Sequence, residues 1–343
     1  MDRLLASKYL VLSGGGINGL CTVGGLRVLE TCLGAGITLR DHFEGFAGSS
    51  VGSLISLYLV CGVALDILIE DFDRVRGALT NMSMSWNNFA TLKGGCSDYS
   101  PLDSMITKVL PRAGVTFQEL FICTNKHLLV VAMDMSSLRL QYFDHTRTPD
   151  VAVVQAILAS MAIPTIYPPV RIGAGLYVDG GLCMNFPFCV FPKKDSFGLW
   201  LQHKQRNTTD PDNILSCTMT FFKSMALSLF YSQDLLLNEM LLPDYRDHIV
   251  IIPTPFAIPL PGSEVQIDAI SMQRQGFMAT WLHLHHFGEC PDEQVLEMGL
   301  AMGLLRPPIH QWVVYRTHAV FCSRVLLETL LQETIRYLIK RCL

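Results

Sequence analysis

Tyr9-Leu10-Val11-Leu12 runs directly into Ser13-Gly14-Gly15-Gly16-Ile17-Asn18-Gly19, and further on His42-Phe43-Glu44-Gly45-Phe46-Ala47 runs into Gly48-Ser49-Ser50-Val51-Gly52. The first apolar run reads as a short strand. After its glycine turn, Leu20, Val23, Leu26, Leu29 and Leu33 recur at helical spacing, with Arg27 and Glu30 falling elsewhere on the helix. Gly34 and Gly36 then stop it. The second unit repeats the plan, with a strand over 42–47, a turn over 48–52 and an uncharged helix to about Cys61. Two successive strand-turn-helix units imply a parallel sheet with helices packed on its faces.

Outward from this core the pattern continues. Asp66 to Leu79 predicts a helix, Lys93 to Pro101 a polar loop, and His127 to Met133 with Leu138 to Phe143 a pair of strands. Val151 to Met161 predicts a helix ending before Pro164, and Leu176-Tyr177-Val178 a strand leading into Asp179-Gly180-Gly181. A polar loop over 207–213, a helix over about 214–240 and a strand over 248–252 follow, and the remainder reads as mostly helical. No internal repeat or low-complexity linker interrupts this. The expectation is one main domain over residues 6–290 and a helical C-terminal extension over 291–343.

Composition narrows the function. Of the 343 residues 50% are hydrophobic and only 16% are charged, with a mean hydropathy of +0.33, against about 25% charged in ordinary soluble domains. That rules out disorder and suits work close to lipid. The net charge of −4 argues against a nucleic-acid partner, whose binding rests on clustered Lys and Arg. The 11 cysteines include no C-x-x-C pair, so they read as reduced thiols in an intracellular protein rather than a disulfide framework or zinc site. Met1 to Lys8 is too short and too charged for a signal-peptide core. The uncharged stretches 46–65 and 151–170 approach the length of a bilayer span. The second, however, is broken by Pro164, Pro168 and Pro169, and the first is rich in Gly and Ser, as in a helix buried inside an α/β domain.

Three elements carry candidate chemistry. Gly48-x-Ser50-x-Gly52 has the form of a nucleophile elbow, where a serine sits on a tight strand-to-helix turn that only glycine neighbours allow. The turn puts the serine at a helix N-terminus, which favours negative charge. Gly14-Gly15-Gly16 offers bare backbone N–H groups, suited either to a phosphate or to the oxyanion of a tetrahedral intermediate. The phosphate-loop alternative lacks its Lys-Ser/Thr pair, whereas Gly14-x-Gly16-x-x-Gly19 with Asp41 downstream fits the spacing of a dinucleotide fingerprint. A simple structural turn is the third reading. Asp179-Gly180-Gly181 places a carboxylate at a strand end, at the sheet edge where α/β enzymes carry their sites, or else makes an ordinary hairpin turn.

In this order the three elements resemble the patatin-like phospholipase family. Ser160-Met161-Ala162-Ile163-Pro164 is similar to that family's S-x-A-x-P stretch, and Asp179-Gly180-Gly181 through Asn185-Phe186-Pro187 to its D-G-G-x-x-x-N-x-P continuation. The resemblance covers roughly Lys8 to Pro187 and thins beyond about Cys290. It implies a three-layer α/β/α sandwich with a mostly parallel central sheet and a helical C-terminal region. It also implies a serine–aspartate dyad, with Ser50 as nucleophile, Asp179 as base, and the amides of Gly14, Gly15 and Gly16 as oxyanion hole. Gly48, Gly52, Gly180 and Gly181 would support the turns. No cofactor or metal is implied. The implied partner is a lipid at a membrane or lipid-droplet surface, met by a cytoplasmic protein that associates peripherally, and the acyl group would pass to water or to another acceptor. One departure stands out: Asn18 occupies the position where the family's loop usually carries Arg or Lys, a loss of charge expected to affect the loop's anchoring or its contact with a lipid phosphate.

Competing patterns are weaker. A Ser-Asp-His hydrolase of the ordinary α/β type places about a hundred residues before its serine, and none of the seven histidines after Asp179 (203, 248, 283, 285, 286, 310 and 318) has a triad context. His145 and Asp150 form an H-x₄-D pattern that chance supplies readily in a chain with 10 histidines. His283, His285 and His286 invite a metal but lack a carboxylate motif, and read as helix histidines. In the tail, Leu327, Leu330, Leu331, Thr334, Ile335, Leu338 and Cys342 share one helical face, with Arg336, Lys340 and Arg341 near its end. This amphipathic pattern suits packing onto the domain or lying on an anionic membrane.

Overall fold

The structure, a computed structural model, describes residues 3–80, 98–112, 114–164, 166–203, 228–229, 232–254 and 268–305. The chain divides into two compact units, Met1–Leu296 and Glu297–Leu343, and among the described residues all the strands belong to the first. The expected loop over 207–213, the first part of the helix expected from 214, and the amphipathic tail from Leu327 lie outside the described residues.

One eight-stranded mixed sheet organises the unit. Five strands run parallel in the order β3 (His127–Asp134), β2 (Gly45–Ser49), β1 (Tyr9–Leu12), β7 (Ser196–His203) and β8 (Ile249–Thr254). The remaining three, β4 (Arg139–Phe143), β5 (Val170–Ile172) and β6 (Gly175–Asp179), pair antiparallel. Crossover helices link the parallel strands, as parallel pairing requires. They are α1 (Gly19–Leu33) after β1 and α2 (Val51–Val60) after β2. Further helices are α3 (Leu65–Thr80), α4 (Ser100–Val109), α5 (Phe117–Thr124), α6 (Val153–Ser160), the single turn α7 (Gly181–Met184), α8 (232–240), α9 (Ala269–His286) and α10 (Asp292–Ala301).

The sheet is buried on both faces. Val11, Ala47, Leu129, Val131, Trp200 and Ile249 form one core layer together with Phe186, Phe188 and Leu241. On the opposite face Leu199 and Ile252 meet α1 at Gly25. All ten residues of α2 are buried, which explains why the chain from Phe46 to about Cys61 carries no charge. That stretch is a strand, a turn and a ten-residue helix. Among the described residues no helix is long and apolar enough to cross a membrane.

The structure departs from the sequence reading in several places. His42 belongs to a helical turn, Leu39–His42, closed by a reciprocal cap between Thr38 and Asp41, so β2 begins at Gly45. The helix of α4 starts at Ser100, inside the expected polar loop. Strands β5 and β7 were not expected, and β7 is the strand beside β1 on which β8 is built.

The registers place the two ends that matter. Val130 and Val131 of β3 pair with β2 along one edge and with Phe143 and Tyr142 of β4 along the other. Ala132, Met133 and Asp134 pair with β4 and with β6. Strands β2 and β6 therefore share one edge of β3 and run towards each other. Ser49 sits opposite Val131 and Asp179 opposite Ala132, so their C-terminal ends meet.

Candidate active site

Ser50 is the residue between β2 and α2, with φ 51° and ψ −129°. Positive φ is costly for a residue with a Cβ and is held only where the surroundings over-determine it. Here the surroundings are glycines. A Cβ on Gly48 would lie 2.2 Å from the carbonyl carbon of Gly52, and one on Gly52 would lie 2.5 Å from the Leu12 carbonyl oxygen at the end of β1. The turn is too tight for any other residue at either position.

A further tie comes from Ser160, fully buried at the end of α6. Its hydroxyl accepts the Ser50 backbone N–H at 2.9 Å and donates to the Val131 carbonyl at 2.6 Å. Its own carbonyl receives the Gly180 N–H at 3.4 Å. The sequence marked Ser160 only as part of a family-like stretch. The structure sets it between the serine turn and the aspartate turn.

The Ser50 hydroxyl donates to Asp179 Oδ2 at 2.7 Å, and Asp179 Oδ1 accepts the Gly181 N–H at 2.7 Å. Asp179 is wholly buried. Burial pushes its carboxyl up to about 7, with the hydrogen bonds from Ser50 and Gly181 pulling the other way. Gly180 and Gly181 do not make a hairpin: α7 begins there, and a Cβ on Gly180 would lie 2.2 Å from the Val131 carbonyl oxygen. Asp179 does reach the C-terminal edge of the parallel strands, but by an antiparallel strand arriving from beyond it.

The glycine loop lies against the same point. A Cβ on Gly14 would come within 3.0 Å of Ser50 Cβ and 2.4 Å of Asn185 Oδ1. The expectation that three amides face an oxyanion needs correcting, because the Gly14 N–H already donates to the Asn185 carbonyl at 2.9 Å. The loop is fastened there before it turns into the short 3₁₀ segment Gly16–Asn18. Among the described residues the N–H groups of Gly15 and Gly16 donate to no protein acceptor, and Gly16 takes φ +56°. Asn18 is fully buried in that segment.

The other candidates fall elsewhere. Asp41 accepts from the Thr38 hydroxyl at 2.7 Å in an exposed cap, away from the end of β2, which the dinucleotide reading requires it to occupy. His145 stacks on Phe121 with ring centroids 3.9 Å apart. His283 packs edge-on to Phe197 and bonds to the Asp247 carbonyl, and burial lowers its pKa to about 4. His285 pairs with Asp292 at 2.8 Å, and His248 with Asp247 at 2.8 Å. Each is accounted for away from Ser50, and among the described residues no group of three or more His, Cys, Asp or Glu is placed to hold a metal.

Comparison with known proteins follows the same line. A probable lipid hydrolase, 463L, of Invertebrate iridescent virus 6 is 26% identical over 219 residues, 62% of this chain and 70% of that protein. A cGAMP-activated phospholipase of Pseudomonas aeruginosa is 32% identical over 198 residues, 54% of this chain and 56% of that enzyme. The chain thus spans little more than half the length of this bacterial relative. The crystal structure of VipD from Legionella pneumophila shares the fold, with a TM-score of 0.50 at 15% identity, covering 82% of this chain and 67% of that one. Residues 10–191 match the family model of the patatin-like phospholipases, and the chain belongs to that family.

Proposed function

We propose, on the premise of that membership, that the chain is a lipid acyl hydrolase working through a Ser50–Asp179 dyad. The observation that carries the reading is the 2.7 Å bond from the Ser50 hydroxyl to a wholly buried Asp179 carboxylate, at a strained turn heading a helix. Ser50 Oγ attacks the ester carbonyl carbon while its proton passes to Asp179. The oxyanion develops against the N–H groups of Gly15 and Gly16, each well-placed donor contributing about 3 kcal/mol. The tetrahedral intermediate collapses, the C–O bond to the alcohol breaks, and Asp179 returns the proton to the leaving oxygen. Water then attacks the acyl-Ser50 ester, giving its proton to Asp179, and the fatty acid leaves as Ser50 recovers its hydrogen. An acyl acceptor other than water would enter at this same step.

A carboxylate is a weak base towards a serine hydroxyl. Burial that drives Asp179 to about 7 narrows that gap, because a general base works best with its pKa near the operating pH. No step draws on a metal. The substrate implied by the family is a phospholipid or other glycerolipid ester, met by peripheral association with a membrane or droplet surface.

The deciding experiment measures fatty-acid release from mixed phospholipid and neutral-lipid vesicles, with chelator present, by wild type, Ser50→Ala and Asp179→Asn. Activity in wild type alone, with both variants reduced by at least about 10³-fold, supports the dyad and identifies the lipid cleaved. Full activity of Asp179→Asn would show that another group takes the proton. Silence of all three on every lipid would favour a binding protein on the same fold.

A further inference from the structure

We propose that Gln233, which lies outside the matched family region, is a positioning residue for this site; the inference rests on the reading of Ser50 and Asp179 as catalytic. Helix α8 carries Gln233 and is fixed to β7 by two contacts, Trp200 Nε1 to Asp234 Oδ1 at 3.1 Å and Gln202 Nε2 to Asn238 Oδ1 at 3.0 Å. From this anchored helix the Gln233 amide reaches the turn that follows Asp179. Its Nε2 donates to the carbonyls of Gly181 (2.9 Å) and Leu182 (2.7 Å), and its Oε1 accepts the Asn185 N–H at 2.8 Å.

These partners are informative. In a continuing α-helix the Asn185 N–H would donate to the Gly181 carbonyl, four residues back. One side-chain amide takes both groups instead, satisfying donor and acceptor together and ending α7 at Met184. An inserted side chain of this kind is a recognised cause of a helix break. Both ends of the broken turn enter the site. Gly181 holds Asp179 Oδ1 through its N–H. Asn185 receives the Gly14 N–H on its carbonyl at 2.9 Å and donates from Nδ2 to the Gly14 carbonyl at 3.4 Å. Gln233 therefore sets the base and the glycine loop at once. Without it the turn is free to close its own bond, rotating the Asn185 carbonyl away from Gly14.

The test compares wild type, Gln233→Leu and Gln233→Glu in the full chain. Leucine keeps most of the volume and none of the polarity; glutamate keeps an acceptor for Asn185 and removes both donors. The readouts are kcat and KM on a soluble ester, the rate of Ser50 labelling by a fluorophosphonate, and deuterium exchange of the amides over 181–186. The expected result is a fall in kcat and labelling of about 10–100-fold for leucine and a smaller fall for glutamate. KM should stay within about twofold, with faster exchange at Asn185 in the leucine variant alone. Wild-type kcat in either variant, or a loss carried by KM, overturns the proposal. If the leucine variant does not fold, the glutamate variant decides by the same criteria. Ser50→Ala runs alongside: if it stays active the dyad reading fails, while the exchange data still decide whether Gln233 holds the turn.

Discussion

Asp179 joins stability and chemistry in one side chain, and both should be visible in its pH dependence. Its folded-state value of about 7 lies above the usual aspartate value of about 3.9. The base must be ionised in the resting enzyme, so kcat/KM on a soluble ester should fall about tenfold per pH unit below about 7 and level off above it. A pH-rate profile that stays flat down to about pH 5 would exclude Asp179 as the titrating base. The stability effect has a definite sign. Between roughly pH 4 and pH 7 the native state holds a proton that the unfolded chain has lost. The contribution is therefore fully present below about pH 4 and is lost as pH rises through 7. Asparagine does not titrate, so the Tm of Asp179→Asn relative to wild type should rise between about pH 5 and pH 8, by the equivalent of a few kcal/mol at most. Thermal melts at the two pH values check this. The aspartate itself was legible from its place before two glycines. The direction of its strand was not, because it depends on β6 meeting β2 end to end along β3.

At the scale of elements, two contacts hold the site's scaffold and each yields a prediction. Ser160 joins α6 to β3 and to the head of α2 through two buried hydrogen bonds. Ser160→Ala leaves the Ser50 N–H and one bond to the Val131 carbonyl unmade, and an orphaned buried group costs about 1–3 kcal/mol. The urea midpoint should fall accordingly with the slope unchanged. Helices α1 and α9 approach so closely that a Cβ on Gly24 would lie 1.9 Å from the Gln273 carbonyl oxygen, and one on Gly276 would lie 1.7 Å from that of Cys21. Both obstacles are backbone and cannot rotate aside, so Gly276→Ala should lower stability by about 2–3 kcal/mol or more, read from the same urea titration. Neither glycine was marked by the sequence, since a close helix crossing leaves no local signature. The strand-turn-helix units that carry Gly14–Gly16 and Ser50 were legible because an apolar run, a glycine turn and a 3.6-residue repeat are all local. Strand β7 was missed for the opposite reason. It is flanked by β1 and β8, its Phe197, Leu199, Trp200 and Leu201 are all buried, and so it shows no alternation to read. Gln233 is a related case: a glutamine in a leucine-rich helix says nothing of its role until Asn185 is placed beside it.

For the whole molecule, the arrangement determines which part of the chain should be sufficient for chemistry. The parallel strands span Tyr9 to Thr254, and α9 closes against α1 by His286. Ser50, Asp179, the glycine loop, Ser160, Asn185 and Gln233 all fall within the unit Met1–Leu296. The sequence placed the boundary near residue 290 and assigned the remainder to a helical extension. We propose that the first unit holds the whole catalytic apparatus, and that the amphipathic segment from Leu327 contributes through lipid rather than through the dyad. A chain ending at Leu305 should then hydrolyse a soluble short-chain ester with kcat/KM within about twofold of the full chain. On anionic vesicles it should lose activity, because a basic amphipathic helix gains its membrane affinity from buried apolar area together with attraction to anionic lipid. Substituting Arg336, Lys340 and Arg341 by glutamine in the full chain should reproduce part of that loss. Raising the salt concentration should shrink the difference between full-length and substituted chains, since surface charges are screened over about 10 Å at 0.1 M. Equal activity of the shortened and full chains on vesicles would instead place lipid contact within the first unit. Loss of soluble-ester activity on truncation would show that the catalytic unit extends past residue 305.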